Sequence, residues 1–170
     1  MSEFQLPRLF KGHNIFIEGY DLRGQIGDVE RPKIALKMEE YRSGGMFGTA
    51  KVVQGLEVLE MTVTVSGYAA EVLRQFGGTI DSKVIRFAGA VEKDDETGFK
   101  KVSGEAAGRI TEIDQGSNSA GENGEIKFKI DLVRYSESLD GKEILYADVL
   151  QNQLRVDRKD LYQAFAAAFS

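Results

Sequence analysis

Only one imidazole, His13, is available for acid–base work in this chain, and no cysteine is present to serve as nucleophile or thiolate ligand. Disulfide frameworks, thiolate zinc sites and multi-histidine metal centres are excluded together. His13 with Ser2, Ser43 or Ser66 would nominally supply a base and a nucleophile. No Gly-x-Ser-x-Gly elbow accompanies them, so His13 reads as a surface or capping residue near the N-terminus. Glu39 and Glu40 are adjacent carboxylates, but on a strand consecutive side chains point to opposite faces and cannot flank one scissile bond. The run "GGMFG" lacks the Gly-Lys-Ser/Thr of a phosphate loop and leads into a strand, where a phosphate site requires a helix N-terminus. "DDETG" (Asp94 to Gly98) carries carboxylates without the spacing and terminal Glu of a calcium loop, and reads as a solvated turn. Lys100 with Lys101, and Lys127 with Lys129, are the nearest approach to basic patches. Asp94, Asp95, Glu96 and Glu125 offset them, and the formal charge of the chain is −5, so tight phosphate binding is not expected. No cofactor or metal site emerges, and no enzyme is expected.

The elements that would position any site are mostly strands. At 170 residues, with 42% hydrophobic and 29% charged residues, one domain spanning 1–170 is expected. The opening "MSEFQLPRLFKGHN" lacks a signal-peptide core and no long apolar run follows, so neither classical export nor a membrane anchor is expected. Residues 14–20 and 24–30 read as short strands with a turn at Asp21 to Arg23. "KIALKMEEY" puts Ile34, Leu36 and Met38 on one face. After a glycine-rich interval, "LEMTVTVSG" puts Met61, Val63 and Val65 on one face and Thr62, Thr64 and Ser66 on the other, the period of a half-buried strand. "YAAEVLRQFGG" reads as a helix with Ser66 as N-cap, a stripe of Ala69, Val72, Leu73 and Phe76, and Gly77 as its left-handed stop. Strands then flank the Asp94–Gly98 tip, a polar loop covers 116–124, and two more strands meet at an Asp140-Gly141 turn. "DRKDLYQAFAAAF" reads as a terminal helix over about 157–169, capped by Asp157, with Leu161, Phe165, Ala168 and Phe169 in one stripe. About eight strands and two helices make an α+β chain, mainly an antiparallel β-sandwich or barrel with a flanking helix and a C-terminal helix.

The glycine-rich interval, about 40–51, carries Met46 and Phe47 in otherwise polar company. Two readings satisfy it equally: an ordered hairpin loop within one monomer, or an arm whose apolar tip seats in a neighbouring subunit, as multimerising sheets permit.

Several motifs resemble a known family. They are Leu6-Pro7, the strand start Asn14-x-Phe16, Pro32-Lys33, Glu40-Tyr41-Arg42-x-Gly44-Gly45-Met46, Gly55-Leu56-Glu57-x-x-Glu60, the Gly67 turn and Phe76-Gly77. Together they resemble the major tail tube proteins of contractile-tailed phages of the P2 type, and those of phage-tail-like bacteriocins. The first half carries the resemblance; Asp157 to Ser170 departs from it. The resemblance implies a structural protein of the virion tail or tail-like particle, assembled in the bacterial cytoplasm. It implies self-association into hexameric rings stacked as a rigid tube, with sheath, tape-measure and baseplate proteins as partners. DNA is implied only as transiting cargo. Tyr41, Arg42, Gly44, Gly45, Met46 and Phe47 are expected at subunit or ring contacts, Glu57, Glu60, Thr62 and Thr64 along the channel, and about 1–13 as an N-terminal arm. The alternatives are a secretion-system tube protein and a monomeric β-barrel ligand carrier, the last requiring an apolar internal cavity.

Overall fold

A computed structural model describes residues 4–168. Ser2 and Phe169 lie outside them. The N-terminal arm expected over about 1–13 ends earlier, because strand β1 already begins at Leu9.

The body is one antiparallel ladder that bends back on itself. In order the strands are β1 (Leu9–Ile17), β2 (Tyr20–Asp21), β3 (Ile26–Glu30), β4 (Leu36–Tyr41), β5 (Ala50–Leu56), β6 (Leu59–Ser66), β7 (Lys83–Glu92), β8 (Phe99–Asp114), β9 (Glu125–Leu139), β10 (Lys142–Asp148), β11 (Gln153–Val156) and β12 (Lys159–Asp160). Helix α1 (Ala70–Arg74) precedes β7 and α2 (Gln163–Ala167) follows β12. The long strands β8 and β9 pair along their lengths. The first part of β8 pairs with β7, which pairs with β1; the first part of β9 pairs with β6, which pairs with β3; the end of β9 pairs with β10. Following these pairs gives the path β3-β6-β9-β8-β7-β1, whose two ends approach without a ladder between them.

The two-residue period decides what fills this fold. Met61, Val63 and Val65 on β6 and Ile126, Phe128 and Ile130 on β9 are buried with Ile15, Ile17, Ile85 and Tyr135. Among the described residues the interior is thus occupied by side chains. The close approach of β9 and Phe87 to β8 needs glycine at 104: a Cβ at Gly104 would lie 2.1 Å from the Ser136 carbonyl oxygen and 2.3 Å from Phe87 Cζ. That space lets Phe87 stack on Tyr135, with ring centroids 5.8 Å apart.

Several local expectations are corrected. Ser66 ends β6 and does not cap α1, whose N-cap is Ala69 without a side-chain hydrogen bond. Ala69 and Val72 are buried, but Phe76 is exposed, because α1 is only one turn long and Gly77 (φ 81°) turns the chain away. At the C-terminus, Asp157 and Arg158 have positive φ and form the turn of a β11–β12 hairpin. The terminal helix therefore shrinks to Gln163–Ala167, and Leu161, Phe165 and Ala168 remain exposed. Strand β5 stops at Leu56 and β6 enters the body at Leu59.

Candidate assembly surfaces

Residues whose types suggested catalysis are structural here. The His13 Nε2–H donates to the Gly27 carbonyl at 2.9 Å, a side-chain bridge across the unpaired gap between β1 and β3. Among the described residues, no hydrogen bond joins His13 to Ser43 or Ser66. Glu39 and Glu40 stand in adjacent rows of β4, opposite Val52 and Lys51, and so point apart. Glu39 instead accepts a hydrogen bond from Gln54.

The turn at Asp94–Gly98 does more than solvate a hairpin. Arg8 makes a two-pronged contact with Glu96 (3.0 and 3.3 Å), the Leu6 amide donates to Asp95, and Lys93 lies 3.2 Å from Asp95 and 3.6 Å from Glu96. The Arg8 hydrogen bond lowers the Glu96 carboxyl from its ordinary range. Burial pushes Asp95 up, but the Lys93 contact and the Leu6 amide outweigh it and hold it low. The N-terminal segment is thus clasped to the β7–β8 tip, a contact that joins residues some 88 positions apart and leaves no local signal in the sequence.

The first candidate surface is the β4–β5 hairpin. Its ladder runs from Leu36↔Leu56 to Tyr41↔Ala50, with a bulge at Lys37/Met38, and it forms a two-stranded sheet of its own. Every residue of β4 is exposed, as is β5 up to Gln54. Leu36, Met38, Tyr41, Val52 and Val53 are each more than 40% exposed, although they are the residue types that strands ordinarily bury. At the tip, the Met46 amide donates to the Ser43 carbonyl and Met46 Sδ lies 3.3 Å from the Ser43 amide, folding Met46 over its own turn. Phe47 is fully exposed. Arg42 is exposed as well. A Cβ placed at Gly44 or Gly45 would meet nothing within 4 Å, and neither has positive φ. Packing and backbone geometry within one copy thus leave these glycines unexplained.

The second surface is the outer face of β3-β6-β9-β8. Alternation sends Glu30, Glu60, Asp131, Glu112, Asp114 and Glu125 outward together with Lys127, Lys129 and Arg109. Glu60 pairs with Lys129 at 3.0 Å, and that contact raises the lysine above its ordinary value. Lys127 and Lys129 therefore sit among carboxylates that outnumber them. Glu57 and Glu60 are exposed and Thr62 is half-buried. Thr64 is corrected: it is only 6% exposed, because Gly27 of β3 passes over it.

Neither surface arranges groups for bond chemistry; one offers apolar area, the other a charged wall. The fold itself belongs to a class seen in solved structures of contractile injection systems. A chain of the PVC sheath–tube complex of an extracellular contractile injection system, in its extended state, superposes with a TM-score of 0.58 over 81% of this chain and 93% of its own, at 13% identity. The anti-feeding prophage tube-terminating cap superposes with a TM-score of 0.58 over 79% of this chain and 93% of its own, at 14% identity. Sequence narrows the class. Residues 7–169 match the family described as phage tail tube protein FII. The tail tube protein of Escherichia phage P2 is 33% identical over 159 residues, 91% of this chain and 92% of its own. The major tail tube protein of Serratia phage KSP20 is 32% identical over 92% of each. The chain belongs to the phage tail tube protein FII family. It is a tail tube protein of a contractile phage-like system, structural rather than catalytic and part of the tail or tail-like particle. The match extends through the C-terminal segment that the motifs left unassigned.

Proposed function

We propose that copies of this chain assemble as hexameric rings stacked into the rigid inner tube of a contractile tail, forming a channel for DNA or effector delivery. The observation that carries this reading is the β4–β5 hairpin: a well-paired β element whose Leu, Met, Val and Tyr side chains stay about half exposed in one copy, tipped by a fully exposed Phe47. Apolar area of this kind gains about 25 cal/mol per Å² when removed from water, and a sister copy is the partner a tube supplies. Tyr41, Arg42, Gly44, Gly45, Met46 and Phe47 make the inter-subunit contact, the bare glycines admitting a neighbour's backbone. The charged face of β3-β6-β9-β8, including Glu60 and Thr62, lines the channel together with Glu57 of the β5–β6 connection. Six carboxylates against three cations there repel phosphate on balance, so DNA slides without sticking. A sheath surrounds the tube, and tape-measure and baseplate proteins meet its ends; the relatives' setting in sheath–tube complexes supports this. The whole chain acts as one domain.

Negative-stain microscopy of the purified chain, alone and with its sheath and baseplate partners, tests the reading. Six-fold rings or tubes are expected, and Met46→Ser with Phe47→Ser should abolish them. Persistent monomers of the unmodified chain in both conditions contradict it.

A further inference from the structure

The arm presents a knob, and the same chain presents a socket at a distance from it. At the root of the arm, Val53 to Leu56 face the β10–β11 turn and the C-terminal segment across a cleft of about 340 Å³. One wall is Tyr162 and Phe165, whose rings meet edge-on at 6.4 Å. Another is the β10–β11 turn. There Asp148 accepts hydrogen bonds from the Leu150 and Gln151 amides at 3.0 Å, and the resulting bend turns Val149 and Leu150 outward, each about half exposed.

We propose that Phe47 at the arm tip of one copy seats in this cleft, between Val53, Val149, Tyr162 and Phe165, of a second copy. The inference rests on the tube-assembly reading and specifies which surfaces meet. The occupant cannot be the chain's own Phe47. Phe47 is fully exposed in the turn beyond the last ladder pair, Tyr41↔Ala50, and does not line the cleft at the arm's root. A phenyl ring removes on the order of 150–250 Å² from contact with water when buried, and the cleft has both the size and the apolar lining for it. The charges also agree. Arg42, on the same exposed arm tip, has no ion-pair partner among the described residues, and the negative charge of Asp148 borders the cleft, its carboxylate held by the Leu150 and Gln151 amides and the Tyr146 hydroxyl. A knob and a socket at different places on one chain make a head-to-tail contact, the kind that propagates into rings or stacks rather than closing as a dimer. It also gives the short C-terminal helix a task, as the wall that receives a neighbour.

The composition makes this directly testable, since the chain has neither cysteine nor tryptophan. In tails assembled with their partners, the Phe47→Cys, Val149→Cys double variant should oxidise to a ladder of covalent multimers on non-reducing gels, and neither single variant should do so. Phe47→Trp keeps an aromatic knob and supplies the sole indole; its emission should shift to the blue between monomer and assembled tube. Assembled tubes that give no ladder, or a Phe47→Trp emission unchanged by assembly, overturn this docking while leaving the tube reading intact. Failure of the unmodified chain to assemble with its partners overturns both.

Discussion

Two regions of this molecule are written in nearly the same alphabet and end in opposite surroundings. Strand β6, "LEMTVTVS", alternates apolar with polar residues, and the arm strands "LKMEEY" and "AKVVQGL" mix the same residue types, with Val52 and Val53 consecutive. In β6 the apolar set is fully buried, with Met61, Val63 and Val65 at 0% exposure, whereas the arm's equivalents lie open. The difference is one of partners. β6 has β9 on one side, β3 on the other and a filled interior beneath it; the arm strands have each other. Periodicity dictates that a segment forms a strand with a sticky side, and it is silent on which molecule covers that side.

Mutation should separate the two regions. Phe128→Ala, in the body, should cost about 3–5 kcal/mol through lost burial and a residual cavity, read as a lower urea midpoint of the monomer. Gly104→Ala, where the new methyl would strike the Ser136 carbonyl and the Phe87 ring, should cost about 1–3 kcal/mol by overpacking in the same titration. In the arm the pattern inverts. Phe47→Ser should move monomer stability by no more than about 0.5 kcal/mol, yet it should sharply reduce sedimenting polymer. Gly44→Val should likewise leave the monomer's melting temperature alone and weaken assembly; an unaffected polymer yield would return the arm to the status of an ordinary loop.

The smallest effect concerns the N-terminal clasp. The Asp95 and Glu96 carboxyls are held below their ordinary values in the folded chain. Their contribution is therefore complete above the unfolded carboxylate range and is lost as pH falls through the lower folded values. Limited proteolysis of the segment around Arg8 should accelerate below about pH 4 and stay flat from pH 5 to 8. Acceleration on raising the pH would contradict the assigned clasp.

Much of the architecture was legible because it depends on nearest neighbours in the chain. The β7–β8 and β9–β10 hairpins follow from "DDETG" and Asp140-Gly141, the latter with φ of 49° and 80° as a tight hairpin turn demands. Gly77 stops α1 with the positive φ its position implied. The misreadings arise where tertiary context decides. "DRKDLYQAFAAAF" has helical spacing, but Asp157-Arg158 is also good turn chemistry, and pairing of β12 with β11 captures the first turn of the expected helix. Thr64 reads as wet from its own strand; only the passage of Gly27 over it, 37 positions away in the chain, makes it dry. Residues 41–47 were recognisable as an unusual composition. That they crown a freestanding hairpin follows from the pairing of 36–41 with 50–56, which no local pattern reveals.

Hydrogen–deuterium exchange across Leu36–Leu56, compared between the dispersed chain and assembled tails, tests the central claim most directly. The arm amides should exchange quickly in the dispersed chain, at least along the strands' outer edges, and become strongly protected in the tail, while β6 is slow in both. An arm that exchanges equally fast in intact tails would show that no neighbour covers it.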